Sequence, residues 1–352
     1  MIAARGRRSS LTLLALALVL ATPGCYALHA ANGQIGIWWN QIPIDEALAD
    51  PDLPEAQREK LALVVDVRRY AIEELGLSET GSYKSYYETP GDFVAWNVSA
   101  SAPLAFQPYT WDFPFVGSLP YIGYFREPLA VEEAADLAGR GYDALMLPVP
   151  AYSTLGWFED PFLSSMLRYH HETIADILIH EMTHATVFVA DVEFNETLAT
   201  FVGREGARRY FLERDGPASV HLRRMELEGH DEELFDGALR ELKQALWRVY
   251  EAAAPEEAKR AGKAARIAAF RARMRDEVLP AMHDPRGYAY VLDPDYEINN
   301  AWLLARLRYH GDLPAFTALH EHLGSDLRQT IVALGEVAQA ADPRAELRLR
   351  AR

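Results

Sequence analysis

"HEMTHATVFVADVEFNETLAT", residues 180–200, decides how this chain is read. On an α-helix, residues four apart stand on one face, about 40° from each other in projection. His180 and His184 therefore present two imidazoles to one side, close enough to share an ion at about 2.0–2.1 Å. Glu181 lies beside that line, where its carboxylate can take a proton from water at the ion. The run before and through it, "HETIADILIHEMTHATVFV", has neither Pro nor Gly and carries Ile174, Ile177, Leu178, Met182 and Phe188 as apolar surface, so a helix is expected. A catalytic zinc takes three protein ligands and keeps a fourth position open. Glu196 is the expected third ligand, at the start of a second helix, "NETLATFVGREGARRYFL", that a turn at "ADVEF" folds back against the first. Asp191 and Glu193 sit in the turn itself and rank below it, while Ala199 would let the two helices approach closely. The expected set is thus His180, His184 and Glu196 around Zn2+, with Glu181 as general base.

Working outward, residues 55–75 alternate charged and apolar positions at helical spacing and stop at Gly76, a helix followed by its C-terminal cap. Residues 78–160 change to short aromatic and β-branched runs separated by Gly and Pro, such as "FVAWNVSA" and "FPFVGSLPYIGYF", which predict strands with one short helix near 131–139. Residues 161–352 read as helical, with breaks near Gly216, Gly229, Pro255, Pro280 to Pro285, Pro294 and Gly311. Strands followed by helices argue for an α+β fold, in which residues 25–352 form one domain. The Ala, Lys and Arg-rich stretch 256–275 reads as a solvated helix face.

With 49% hydrophobic and 11% aromatic residues, 352 residues can bury a sizeable core, and a formal charge of −16 argues against a nucleic-acid partner. The N-terminus stands apart. Arg5, Arg7 and Arg8 precede the apolar run "LTLLALALVLA", too short for a spanning helix, so residues 1–24 read as an export signal. Cys25, the chain's one cysteine, follows directly after Gly24; it can form no intrachain disulfide, and its position resembles the lipidation site of a bacterial lipoprotein.

H-E-x-x-H followed by N-E-x-x-A, here Asn195, Glu196 and Ala199, resembles the gluzincin peptidases, although the gap between the elements is shorter than in many of them. More closely, "CYALHAANGQ", "FVAWNVSA", "FPFVGSLPYIGYF", "AYSTLGWFEDP" and "INNAWLLA" together resemble a bacterial lipoprotein family of zinc aminopeptidases over almost the whole mature chain. The resemblance implies a zincin-like domain, a peptide substrate, and a lipoprotein held in the bacterial cell envelope by its lipid anchor, facing the periplasm or on the outer membrane. It also implies an oxyanion donor from the helical region, where His230, His283, Tyr288, Tyr290 and Tyr309 form the pool and Tyr290 is favoured. Substrate would lie along an edge strand at 149–161, with Tyr152, Gly156 and Glu159 as contacts, although Glu159 and Asp160, followed by Pro161, read first as the cap and first turn of a helix. Two other readings stay open: a zinc endopeptidase, which would cleave N-blocked peptides, and a non-catalytic lipoprotein with a structural metal.

Overall fold

The computed structural model describes residues 24–113, 117–149, 159–308 and 313–352. Its first element is α1 (Gly24–Asn40), in a stretch that carries glycines and several alanines. Tertiary contacts hold it: Tyr26 Oη donates to Gly123 O at 2.9 Å, and His29 Nε2 accepts the Phe125 N–H at 3.1 Å. Gly33 is needed there, because a Cβ would lie 2.1–2.7 Å from atoms of the Phe125 ring.

After β1 (Ile42–Pro43) and α2 (Ile44–Ala49) comes α3 (Glu55–Glu73), close to the expected helix and buried along Leu61, Val64, Val67 and Ala71. Gly76 follows at φ 75, the left-handed conformation a glycine adopts without a steric penalty. The aromatic region forms small sheets. These hold β2 (Ser85–Tyr87), β3 (Ala95–Ser101), β4 (Trp111–Phe113), β5 (Gly117–Leu119) and β6 (Ile122–Tyr124), then α4 (Glu127–Gly139), β7 (Asp143–Val149) and β8 (Phe162–Leu163). The strand orders are β1-β2-β8, β6-β3-β7 and β4-β5. β3 and β7 pair antiparallel from Ala95↔Val149 to Ser101↔Asp143, which leaves β7 on the sheet edge.

The rest is helical: α5 (His171–His184), α6 (Val192–Asp215), α7 (Val220–Glu251) and α8 (Glu256–Arg273), which runs on through a π turn (Met274–Val278). α9 (Asn300–Leu307), α10 (Leu313–His322), α11 (Leu327–Ala338) and α12 (Pro343–Arg350) follow, so the chain is α+β. Two corrections concern breaks. α7 passes through Gly229 unbroken, since one glycine costs only about 1 kcal/mol in a helix whose Phe235, Leu239, Leu242 and Leu246 are buried. Residues 159–160 open no helix; they lead into β8 and a 3-10 turn. One core gathers α3, α5 and α6 with α10 and α11, around Leu61, Ile174, Leu178, Phe211 and Phe316. A second surrounds Trp302 and Leu239. No helix among the described residues is long and apolar enough to cross a membrane.

The start of α5 is tied down by a buried carboxylate. Glu172, 2% exposed, meets His221 Nδ1 at 2.8 Å and Arg224 at 2.7 Å. Burial works to raise its pKa, but the His221 and Arg224 hydrogen bonds prevail and hold it below the usual carboxylate value. A depressed folded pKa contributes stability that is fully present above the unfolded value of 4.5 and is lost as pH falls through the folded value. Glu172→Ala is therefore expected to destabilise the protein by about 2 kcal/mol at pH 7. The gap from wild type should narrow as pH falls below 4.5, as denaturant melts at neutral and acid pH would read.

Candidate metal centre

α5 buries Ile174, Ala175, Leu178, Ile179 and Met182 against the core, which turns its other stripe, Asp176, Ile177, His180 and Glu181, toward a cleft. The chain leaves α5 at His184, and Asp191 caps α6 by accepting the Phe194 N–H at 3.1 Å. α6 thus begins at Val192, earlier than the turn-and-helix reading of "ADVEF" placed it, and Glu196 stands in its second turn. Asp191 and Glu193 are drawn away to Arg344, at 2.9 and 3.2 Å.

The returning helix brings the three expected ligands together. His180, His184 and Glu196 place their ligand atoms within 4.8 Å of one another. The two Nε2 atoms are 3.2 Å apart, and the Glu196 oxygens lie 3.4 Å from His180 Nε2 and 3.8 Å from His184 Nε2. The edge of a tetrahedron with bonds of about 2.0–2.1 Å is about 3.4 Å, so two imidazoles and one carboxylate at these separations fit zinc. Asn195, which precedes the third ligand, lies 2.9 Å from His184 Nδ1 and accepts the Val189 N–H at 3.0 Å, so the group that orients the ring is itself fixed.

The charges are consistent with this use. Burial pushes His184 down to about 4, helped by the neighbouring His180, so the ring is neutral at neutral pH. For His180 burial acts downward too, but the hydrogen bond to Glu196 and the charges of Glu181, Glu196 and Asp176 outweigh it and raise the pKa. Glu196 is the complement: burial pushes up, and His180, His184 and Arg308 pull it below its usual value.

Glycine permits the approach of the helices. A Cβ on Gly203 would lie 2.4 Å from Asp176 Oδ1, 2.9 Å from the Asp176 carbonyl oxygen and 3.0 Å from His180 Cβ, and one on Gly206 would meet Ile179 at 2.9 Å. Ala199 is fully buried, and Gly203 and Gly206 lie where a side chain would clash with α5. Gly203→Ala is expected to cost about 1–3 kcal/mol by overpacking and to weaken zinc binding, read by urea unfolding and zinc titration.

His180 and Glu181 open onto a cavity of about 640 Å³. Its walls include Leu147 on the edge strand β7, Tyr288 and Tyr290 from the segment after α8, Arg306, and the carboxylates of Asp176, Glu232 and Asp236. Tyr290 lines the same cavity, with its ring 5.5 Å from the Arg306 guanidinium and its Oη buried. Burial raises its pKa, so it keeps its proton. His230 and His283 are not at this centre; they pair with each other, ring centroids 5.0 Å apart. Tyr152, Gly156 and Tyr309 lie outside the described residues, as does the Cys25 side chain. Glu159 does not line the cavity; it is exposed and lies over Gly81, where a Cβ would sit 1.9 Å from its Cδ.

Three neighbours of the centre escaped the sequence reading. Asp176, one turn before His180, is pushed up to about 6 by burial, against the pull of Arg204 and His180. Its i, i+4 spacing to His180 was the available signal. Tyr121 is pushed up to about 12 by burial and the Glu196 charge, and Arg308 sits 4.9 Å from its ring. Tyr83, buried and at φ 62, shares a small void with Glu181 and Asp160; burial and those two charges keep its phenol protonated.

A family model described as "Putative aminopeptidase" matches residues 25–349. No curated protein and no solved structure matches the chain.

Proposed function

We propose, from the premise that the chain belongs to the family described as "Putative aminopeptidase", that it is a zinc-dependent aminopeptidase with a zincin-like site. The observation that carries the reading is the convergence of His180, His184 and Glu196 at tetrahedral spacing beside Glu181 on an open cleft. Zinc held by these three residues supplies a Lewis acid for the scissile carbonyl and lowers the pKa of bound water to about 7.

The chain's own groups do the rest. Glu181 takes the proton of the attacking water at its carboxylate and delivers it to the leaving amine. Tyr290, whose buried hydroxyl lines the cleft, donates to the oxyanion. The edge of β7 at Leu147 offers the substrate backbone a strand to pair with. Asp176, Glu232 and Asp236 give the cleft the negative charge that a substrate α-ammonium group requires. Glu232 is partly neutralised by Arg204 at 2.7 Å, and Asp236 lies 4.0 Å from Arg240.

We assign residues 1–24 to an export signal and Cys25 to lipidation, which would hold the domain on the membrane of a bacterial envelope. Mass spectrometry of the mature N-terminus checks this part. The peptidase reading is tested on residues 26–352 with libraries of free and N-acetylated peptides. Cleavage of free peptides alone supports an aminopeptidase. Equal cleavage of both makes the protein an endopeptidase, and cleavage of neither removes the reading.

A further inference from the structure

Away from the centre above, one more set of metal-ligating side chains converges among the described residues. His230 on α7, its neighbour Asp231, and His283 in the segment after α8 bring ring nitrogens and a carboxylate oxygen within 4.8 Å of one another. We propose that these three residues form a second metal site, for a borderline divalent cation such as Zn2+ or Ni2+.

Asp231 makes the arrangement stable. It is 3% exposed and accepts the backbone N–H of His283 and of Asp284, each at 2.7 Å, so the segment that carries His283 is locked onto α7. This occupies one direction on each oxygen, and a carboxylate offers about four, so each oxygen keeps a lone pair for an ion. The imidazoles are held 5.0 Å apart between centroids, tilted by 53°. Neither ring makes a hydrogen bond or an ion pair among the described residues, and both are exposed, so their lone pairs are reachable from solvent.

The donor set chooses the ion class. Two imidazole nitrogens and one carboxylate suit Zn2+, Ni2+, Cu2+ or Co2+, whereas Ca2+ and Mg2+ take oxygen ligands. Because its histidines are exposed, water fills the open positions and the ion binds more weakly than between the half-buried His180 and the buried His184 and exchanges faster. Its place gives it a consequence for the cleft. Gly287, Tyr288 and Tyr290 follow His283 closely in sequence and line the cavity of Glu181, so an ion here clips that wall to α7.

The test counts ions. Protein stripped with a chelator is titrated with Zn2+ and read by native mass spectrometry for wild type, for His230→Ala/His283→Ala and for His180→Ala/His184→Ala. Two ions in wild type and one in each double variant are expected. Equal counts in wild type and His230→Ala/His283→Ala would overturn the site, as would a single ion in wild type that disappears with His180 and His184. One ion in wild type that disappears only with His230 and His283 would instead keep this site and remove the proposed catalytic one. Should His180→Ala/His184→Ala fail to fold, calorimetric titration of zinc-loaded wild type with Ni2+ decides. It should show one further binding event, absent in His230→Ala/His283→Ala, whose exposed rings can be removed without disturbing the core; no event in wild type overturns the proposal.

Discussion

Glu181→Gln is expected to lower kcat/KM for an unblocked peptide about 10³-fold while leaving zinc content and the melting temperature unchanged. The substitution keeps the size and polarity of the side chain and removes only its capacity to accept a proton, a contribution of about 10²–10⁴-fold for general acid-base groups. A loss of 10³ corresponds to about 4 kcal/mol of transition-state stabilisation. Zinc should stay, because Glu181 stands outside the ligand triangle of His180, His184 and Glu196. The split between kinetics and metal content is what matters. If the variant lost zinc with activity, Glu181 would be a ligand and the assignment of the base would be wrong. Steady-state kinetics with metal analysis on the same sample read both.

His184→Ala is expected to lose the zinc held between His180, His184 and Glu196 and to abolish turnover. Outer-shell partners of a metal already govern about 10–100-fold in affinity, and a ligand governs more. The substitution also removes the ring that the Asn195 amide meets at 2.9 Å, which leaves a buried amide unsatisfied at a cost of about 1–3 kcal/mol. A lowered melting temperature should therefore accompany the loss of metal, and circular dichroism should show the fold retained. The same geometry gives a pH sense. His184 is neutral well into the acid range, so His180, whose pKa is raised, is where protons compete with the ion. Zinc affinity should fall on acidification, and the fall should begin above pH 6.5, the unshifted histidine value, because the His180 pKa is raised.

Much of the centre was legible because helical periodicity is a rule about angles: H-E-x-x-H placed His180 and His184 on one face, and "NETLA" offered Glu196 on a returning helix. What escaped notice depends on packing between distant segments. Tyr121 and Tyr83 come from the sheet region and reach the centre through contacts that no local spacing encodes. Helix α1 escaped for the same reason, since the hydrogen bonds of Tyr26 and His29 to Gly123 and Phe125 span more than ninety residues. Gly203 was readable in principle, as a small residue one turn beyond Ala199, but glycine in a helix ordinarily signals weakness rather than close approach.

The central claim, that one zinc ion joins His180, His184 and Glu196, is tested most directly by an anomalous difference map at the zinc edge from crystals of the zinc-loaded protein. The expected result is a peak bonded to Nε2 of both histidines and to a Glu196 oxygen at about 2.0–2.2 Å. Zinc-loaded crystals with those side chains ordered and no peak between them would contradict it.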